Sequence, residues 1–360
     1  MKKNLLGGKI VEKYKIWFIV PLVILLAAMI VFTAFGINAV VDARKSGDSW
    51  GKAIGKGFSN GINIGIDFEG GTLLTVIMGE EDAINKFDEN SKKISDIISS
   101  HGVNVSYIQK SNTGALAGIM FKYDALDDTT NDAILNDINA AYDNKFVVNE
   151  DLNYTTIGAS ASKDLIWTAV LSIVVSTLLI LVYVIFRFEL WAAFAAVIAL
   201  IHDVLMMVCL TIIFHIQVNS SFIAAIITIV AYSINATIVL FDRVRENYKL
   251  HVMKGGDFAE YNRSIVNMSI KDTFTRNVNT TLTTLVAITV LAIIGDMSIR
   301  EFALPVIFGL ILGAYSSLVI SPSLFCLLKN RFSKEAKQSR GIAVRKPKKE
   351  KKAKVGDEIA

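Results

Sequence analysis

Six long apolar runs constrain the fold of this 360-residue sequence more than any other feature. Each run is long enough to cross a lipid bilayer as a helix, which takes about 20 apolar residues. They cover residues 16–37, 165–186, 190–214, 222–241, 278–295 and 302–328. Charged residues make up only 19% of the chain, against about 25% in an average soluble domain. We therefore predict a polytopic α-helical membrane protein with six transmembrane helices.

The segments between the runs alternate in charge, which predicts how the chain is oriented. Residues 38–164 hold 19 Asp/Glu against 11 Lys/Arg, whereas the tail, residues 329–360, holds 12 Lys/Arg against four acids. Residues 1–15 carry five Lys and one Glu, and loop 242–277 carries seven Lys/Arg and five acids. Because cytoplasmic segments of membrane proteins are enriched in Lys and Arg, we expect both termini in the cytoplasm and residues 38–164 outside it.

The two ends of the chain each have a membrane interpretation. The first run is 22 residues long and has no small-x-small cleavage site after it, so we expect an uncleaved anchor and not a signal peptide, whose core spans about 7–15 residues. The basic tail follows the last run, and polybasic segments beside a membrane helix typically contact anionic lipid. Nucleic-acid binding is the competing interpretation of this charge. The sequence favours lipid, and no nucleic-acid partner is expected.

Residues 38–164 are expected to form an α+β domain between the first two transmembrane helices. Strand-like and helix-like stretches follow one another in the order β-α-β-β-α-β, which predicts a ferredoxin-like split βαβ unit. The strands are expected at 73–78, 103–109 and 117–123, with a closing strand at 146–148 or 154–157, and the helices at 81–100 and 129–142.

No catalytic constellation is visible in the sequence. The outer domain has no cluster of His, Cys or nucleophilic residues, which favours a docking or handling module over an enzyme. Segment 51–57 resembles a phosphate-binding loop, but it is one residue too short and lacks the Ser or Thr that binds Mg²⁺. We therefore expect no ATPase activity, no metal and no other cofactor.

Loop 242–277 is too polar to cross the membrane. Its apolar side chains fall loosely on one side, with Lys271 and Asp272 on the other. The apolar residues are Ile265, Val266, Met268, Ile270 and Phe274. This arrangement is typical of a helix that lies in the membrane interface, and we expect one on the cytoplasmic side.

Asp203, beside His202, is a carboxylate deep within an apolar run and therefore a candidate functional residue. A charge at mid-bilayer costs at least about 2.5 kcal/mol, so this side chain should face the bundle interior or a wet cavity. Two interpretations are open. The pair is either part of an ion pathway or a structural pair that closes a contact between helices.

A polar seam is predicted between the fourth and fifth runs. Ser233 and Asn235 interrupt the fourth run, and Arg276, Asn279 and Thr280 lie where the fifth begins. Polar residues in membrane helices often serve only as contacts worth about 0.6 kcal/mol each. Their density here favours an ion pathway, with Arg276 at its cytoplasmic mouth. The alternative for Arg276 is a side chain that snorkels to lipid phosphate.

Small residues recur every four positions in the sixth run, at Gly309, Gly313 and Ser317. They fall on one face of a helix, where the lack of bulk lets a neighbouring backbone come close. We expect this face to pack against another transmembrane helix.

Three stretches together carry a family resemblance. They are residues 65–71 (Gly-Ile-Asp-Phe-Glu-Gly-Gly), residues 186–189 leading into His202-Asp203, and residues 232–235 leading into 241–247. Further matching stretches are 267–270, 275–277, 279–284 and 313–317. Over residues 16–328 the sequence resembles the SecF family of protein-export membrane subunits.

The resemblance implies a six-span subunit of the plasma membrane, related to half of an RND transporter. It implies pairing with SecD, association with the SecYEG channel and handling of a translocating unfolded polypeptide, and YajC is a further implied partner. Ion flow through the membrane domain would drive motion of the outer domain. Asp67, Phe68, Gly70 and Gly71 belong to the family motif of that domain. The two glycines permit a tight turn or a close approach to a neighbour, unless they form an ordinary hairpin bend.

One position departs from the family pattern. The family usually has an acidic residue directly after Tyr-Ser-Ile-Asn, a leading candidate for carrying the coupled proton, and this sequence has Ala236 there. The family's arginine is retained at Arg276. Three explanations are open: Asp203 or a SecD carboxylate carries the ion, coupling has been lost, or only SecD needs to be coupled. We favour a coupling role shifted to SecD. A non-energised assembly factor of the channel and half of an RND-type exporter are the alternative functions.

Overall fold

The structure is a computed structural model that describes residues 10–336 apart from residues 46, 80, 112–116, 149, 254–255, 296 and 334. Six helices in this part of the chain are long and apolar enough to cross a membrane, which confirms the predicted number. Spans 1 to 5 are the helices Ile19–Lys45, Ala159–Arg187, Leu190–Ile213, Ser220–Leu250 and Phe258–Ile294. Span 6 consists of Met297–Tyr315, the π-helical turn Ser316–Ile320, and Ser321–Phe332.

Spans 4 and 5 extend well beyond their apolar runs. Span 4 continues to Leu250 and span 5 begins at Phe258, so segment 242–277 consists mostly of the ends of these two helices. The side chain of Asp257 caps span 5 by accepting a hydrogen bond from the Ala259 N–H at 3.1 Å. Span 5 then runs for 37 residues without a Gly or Pro to end it.

The separate interfacial helix expected in segment 242–277 is not found among the described residues. Val266 and Ile270, two of the apolar side chains on which that expectation rests, are buried in a cluster with residues of spans 3, 4 and 6, and Ile265 is buried as well. They face the protein interior because span 5 continues through this segment and packs against its neighbours. The polar residues of this segment interrupt the apolar run, but they do not interrupt the helix.

Span 1 ends in a helical hairpin that the sequence did not predict. After Lys45 the chain turns back, and helix α1 (Trp50–Ile62) packs antiparallel along the C-terminal part of span 1. A Cβ atom on Gly57 would lie 2.9 Å from the carbonyl oxygen of Gly36, so the two backbones are in contact. Segment 51–57, which resembles a phosphate loop in sequence, is helical.

A small α+β domain lies between spans 1 and 2. Strands β1 (Gly71–Ile77), β2 (Val105–Ser111), β3 (Gly118–Tyr123) and β4 (Leu152–Ile157) pair antiparallel in the order β2-β3-β1-β4. Helices α2 (Phe87–Ser100) and α3 (Asp128–Ala141) share a core with the sheet, in which Leu74, Phe121, Ile94 and Ile134 are fully buried. Of the two closing strands expected, the second is observed. Val148 makes only an isolated bridge to Leu152.

The buried core of the membrane part lies among spans 3, 4 and 6. Gly309 and Gly313 of span 6 face span 4, where a Cβ on Gly309 would overlap Ile229 and one on Gly313 would lie 3.4 Å from the Cβ of Ser233. We call the end of this bundle next to the small domain the domain end. The opposite end, where span 4 ends at Leu250, span 5 begins at Phe258 and span 6 ends at Phe332, is the basic end.

Candidate functional site

A buried carboxylate lies within the core of the bundle. Asp203 of span 3 is fully buried and is the only buried acidic side chain among the residues that the structure describes. Its Oδ2 accepts a hydrogen bond from the Ser316 hydroxyl of span 6 at 2.6 Å and another from the Ser233 hydroxyl of span 4. Its Oδ1 lies 2.9 Å from Nδ1 of His202. One carboxylate therefore joins three spans.

Ser316 belongs to the irregular turn of span 6. The π-helical turn Ser316–Ile320 is wider than an α-helical one, and such turns are frequent at functional sites. Ser317, expected to contact another helix, is buried, but its hydroxyl donates to the Ala314 carbonyl of its own helix at 3.1 Å. Sequence reasoning missed the contact of Ser316, although two adjacent serines in an apolar run are a usable signal.

The Asp203 cluster has the chemistry of a proton site. A carboxylate oxygen and an imidazole nitrogen at hydrogen-bonding distance can share a proton, while the two hydroxyl donors stabilise the carboxylate when it is charged. Nε2 of His202 is buried and has no partner among the described residues. No group of three or more His, Cys, Asp or Glu side chains in this part of the chain could hold a metal ion.

The structure separates the other predicted seam residues from this cluster. Arg276, Asn279 and Thr280 of span 5 and Asn235 of span 4 are exposed on the surface of the chain, whereas Ser233 is buried against Asp203. The guanidinium of Arg276 makes no hydrogen bond or ion pair with any described residue. The predicted seam therefore becomes a buried cluster and an outward polar face, which we define as Asn235, Arg276, Asn279 and Thr280.

Charged side chains surround a cavity of about 470 Å³ next to this outward polar face. Arg243 of span 4 donates to Asp272 of span 5 at 2.8 Å, an ion pair that joins the two helices at the basic end, and to Glu246 of its own helix at 2.8 Å. Arg276 also lines the cavity. Ala236, half-buried in span 4, contributes only a methyl group.

The motif at residues 65–71 forms a joint between the small domain and the domain end of the bundle. Asp67 Oδ2 accepts a hydrogen bond from the backbone N–H of Ser220 at 2.8 Å, where span 4 begins. Glu69 pairs with the buried Lys122 of β3, whose ammonium group also donates to the Ile64 carbonyl at 2.8 Å. Phe68 is half-buried beside them. The two carboxylates of the motif thus bind different partners, one in the bundle and one in the sheet.

The two glycines of this motif occupy positions that other residues would strain. Gly70 has φ +77° and Gly71 has φ +121°, in the region that L-residues rarely adopt. A Cβ on Gly71 would also lie 2.7 Å from the carbonyl oxygen of Tyr123. The backbone can therefore turn from the one-turn helix Ile66–Glu69 directly into β1.

His215 completes the joint and was missed by sequence reasoning. Its ring stacks on Phe35 of span 1, with centroids 4.0 Å apart, and lies 5.8 Å from the ring of Tyr107 in β2. Asn63, which follows α1, donates to the His215 carbonyl at 2.7 Å. Burial lowers the pKa of His215 and raises the pKa of Tyr107 to about 12. We define the joint as residues 63–71, Tyr107, Lys122 and residues 215–220.

These features define a class: a polytopic helical membrane protein whose small α+β domain is hydrogen-bonded to the ends of its spans. A family model described as protein export membrane protein SecD/SecF, C-terminal, matches residues 137–331. The chain is 33% identical over 285 residues to the protein translocase subunit SecF of Sebaldella termitidis, covering 79% of this chain and 87% of that protein. It belongs to the SecD/SecF family of protein-export membrane proteins, which confirms the resemblance found in the sequence.

Other relatives extend this comparison. SecF of Helicobacter pylori is 32% identical over 281 residues, covering 77% of this chain and 81% of that protein. The crystal structure of SecDF from Thermus thermophilus superimposes with a TM-score of 0.63 at 28% identity. That match covers 85% of this chain but only 38% of the SecDF chain, so the chain corresponds to a part of that longer protein.

Proposed function

We propose that this chain is the SecF-type accessory subunit of a Sec protein translocase. It pairs with a SecD subunit in the plasma membrane, associates with the SecYEG channel and supports export without catalysing bond chemistry. The observation that carries the proposal is the match along 87% of a SecF subunit together with 38% of a SecDF chain. In this proposal, the part of the SecDF chain outside the matched 38% corresponds to the SecD partner.

The outward polar face supports a partner inside the membrane. A cation and three polar side chains exposed on membrane helices are costly in lipid, because nothing there satisfies them. Arg276 has no partner among the described residues, whereas Arg243, on the neighbouring helix, has two. We propose that the SecD helices cover this face.

The orientation follows from the sorting of charge. Both termini and segment 242–277 would lie in the cytoplasm, and the small domain, residues 38–164, would lie outside. We infer that this domain is a ferredoxin-like split βαβ unit, which the strand order β2-β3-β1-β4 supports. Its role would be to handle the translocating polypeptide, and the joint would transmit motion of span 4 to it through Asp67.

Ion coupling is proposed to use a carboxylate of SecD and Arg276 of this chain. Ala236 cannot hold a proton. Asp203 is bonded on both oxygens to residues of its own subunit and lies inside the bundle, away from the outward polar face. In the proposed arrangement, a partner carboxylate would alternate between a protonated form and an ion pair with Arg276.

The test is the export rate of a secreted reporter in cells that carry Arg276→Leu. We expect export to fall to the level of a strain without the gene, while SecD still co-purifies with the variant. Lys271→Leu is the matched control, because Lys271 is an exposed cation of the same helix that does not line the Arg276 cavity, and it should export normally. Loss of SecD from the Arg276 variant would make Arg276 a structural residue.

The alternative, a non-energised assembly factor, is favoured by Ala236 alone. The same strains separate it from an energised subunit when an ionophore is added at constant ATP. If an ion gradient energises the subunit, the ionophore should abolish the difference in export rate between wild type and the deletion strain. If the advantage persists with the ionophore, the subunit acts without ion coupling.

A further inference from the structure

A second cavity, of about 700 Å³, opens at the basic end among spans 3, 4, 5 and 6. It lies apart from the Asp203 cluster and the joint. Six aromatic rings line it: Phe188, Phe241, Tyr248, Phe258, Tyr261 and Phe325. Aromatic side chains are enriched where membrane helices meet the headgroup layer, and in the proposed orientation this cavity would lie at that level.

The wall of the cavity leaves its interior without a free charge. The ammonium group of the buried Lys329 donates to Glu189 at 2.7 Å and lies 4.2 Å from the centre of the Tyr248 ring. The Tyr248 hydroxyl is bonded to Asn262. A lysine paired in this way and covered by rings is a structural part of the wall. The space left for an occupant is lined mainly by apolar and aromatic side chains.

The rim of the cavity carries two cations that are unpaired within the described part of the chain. Arg245 and Lys249 lie one helical turn apart on span 4, are exposed, and make no hydrogen bond or ion pair with any described residue. Arg243 on the same helix is fully paired by contrast. Two exposed acids line the cavity: Glu189, which is paired with Lys329, and Glu335. In the sequence, residues 337–360 hold nine Lys/Arg against three acids.

We infer that this cavity binds an anionic phospholipid, with an acyl chain among the rings and the phosphate at Arg245 and Lys249. Charge complementarity carries the choice of occupant, since Arg245 and Lys249 stand at the rim of an interior that is mainly apolar and whose Lys329 is already paired with Glu189. Basic pockets between membrane helices on the cytoplasmic side are suited to anionic headgroups. The site is independent of which subunit carries the coupled ion.

The test uses the full-length chain in nanodiscs of phosphatidylcholine that contain a small fraction of photoactivatable phosphatidylglycerol. Its diazirine is placed on the acyl chain, and adducts are located by mass spectrometry. We expect adducts on the peptides that contain Phe241, Tyr248 and Phe325. Unlabelled phosphatidylglycerol should compete for the site, whereas phosphatidylcholine with the same acyl chains should not.

Variants of the rim test whether Arg245 and Lys249 bind the phosphate. The double variant Arg245→Gln with Lys249→Gln changes only exposed side chains and should lose adduct yield by about tenfold. Lys271→Gln, an exposed cation outside the cavity, is the matched control and should keep it.

Three results would overturn the lipid site. They are equal competition by phosphatidylcholine, unchanged adducts in the double variant, and full competition by soluble glycerol 3-phosphate. The last would indicate a free phosphate site that needs no acyl chain. A cavity occupied by an acidic peptide of a partner would give no specific adduct at these peptides, which also contradicts the inference.

Discussion

At the scale of single residues, Asp203 decides how three spans are joined. Both of its oxygens have partners, so removing the carboxylate leaves the hydroxyls of Ser233 and Ser316 without their buried acceptor. A buried polar group that loses its partner costs about 1–3 kcal/mol. The residue therefore matters to stability whichever subunit carries the ion.

We expect Asp203→Leu to lower the free energy of unfolding by about 2 kcal/mol, and Asp203→Asn by about 1 kcal/mol because Asn keeps an acceptor oxygen. Denaturant-induced unfolding in detergent measures both values. Ser317→Ala is the control, since that buried hydroxyl bonds only to its own helix, and it should cost about 0.5 kcal/mol. A Leu variant as stable as this control would contradict a joining role for Asp203.

At this scale, the sequence predicts best those residues whose type is rare in a membrane helix. Asp203 and His202 stand out because a charge in an apolar run is costly, and the structure does place them together in the core. The sequence pattern predicts a seam between spans 4 and 5 that includes Arg276 and Asn279, whereas the structure places both side chains on the surface. Polarity shows that a residue avoids lipid. The rotation of each helix, set by packing, decides which neighbour it faces.

At the scale of elements, the joint couples four parts of the chain. Span 1, α1, the sheet and the turn between spans 3 and 4 meet around His215, which contacts Phe35 and Tyr107 through its ring and Asn63 through its carbonyl. Neither ring nitrogen has a partner among the described residues. A proton on this imidazole would therefore be poorly solvated.

The joint should loosen in acid. Burial lowers the pKa of His215 below its ordinary value of about 6.5, so the unfolded chain binds a proton before the folded joint does. Its contribution is complete above about pH 6.5 and is lost as the pH falls toward the lowered pKa. Hydrogen exchange of residues 63–71, corrected for the intrinsic effect of pH, should be faster at pH 5.5 than at pH 7.5.

His215→Phe is the matched variant for this measurement. Phe keeps a ring that can stack on Phe35 and has nothing to protonate, so the exchange rate of the joint should no longer depend on pH after correction. An equal pH response in the variant would assign the effect to another group.

Elements were predicted unevenly for a physical reason. Apolar runs locate the six spans well, since lipid demands them, but they do not locate helix ends, which depend on backbone hydrogen bonds and caps such as Asp257. The sequence does not predict helix α1, because four of its 13 residues are glycines, a composition typical of a loop. Its glycines are tolerated where they allow contact with span 1.

At the scale of the whole molecule, three functional regions lie on different parts of the surface: one at each end of the bundle and one on its side. The joint lies at the domain end, the lipid cavity at the basic end, and the outward polar face on the side of spans 4 and 5. The charge pattern of the sequence predicts an acidic domain at one end and basic segments at the other. It does not predict the outward polar face, because which surface is left uncovered depends on how all six spans pack.

Cysteine labelling tests the proposed orientation. In a background with Cys209→Ala and Cys326→Ala, we expect Lys92→Cys to react with an impermeant maleimide in intact spheroplasts, and Arg331→Cys only after lysis. Both positions are exposed in the structure, so access depends on the side of the membrane alone. Labelling of both positions from outside would overturn the six-span orientation.

Span 5 has a mechanical consequence that follows from its length. At 1.5 Å per residue, its 37 residues make a rod of about 55 Å, roughly twice the hydrocarbon thickness. The rod carries Arg276 near its middle and packs on the bundle at the basic end. A tilt of about 5° around its domain end would move its other end by about 5 Å. Ion pairing at Arg276 would then act at the middle of a lever, and a small displacement there would be amplified at the basic end.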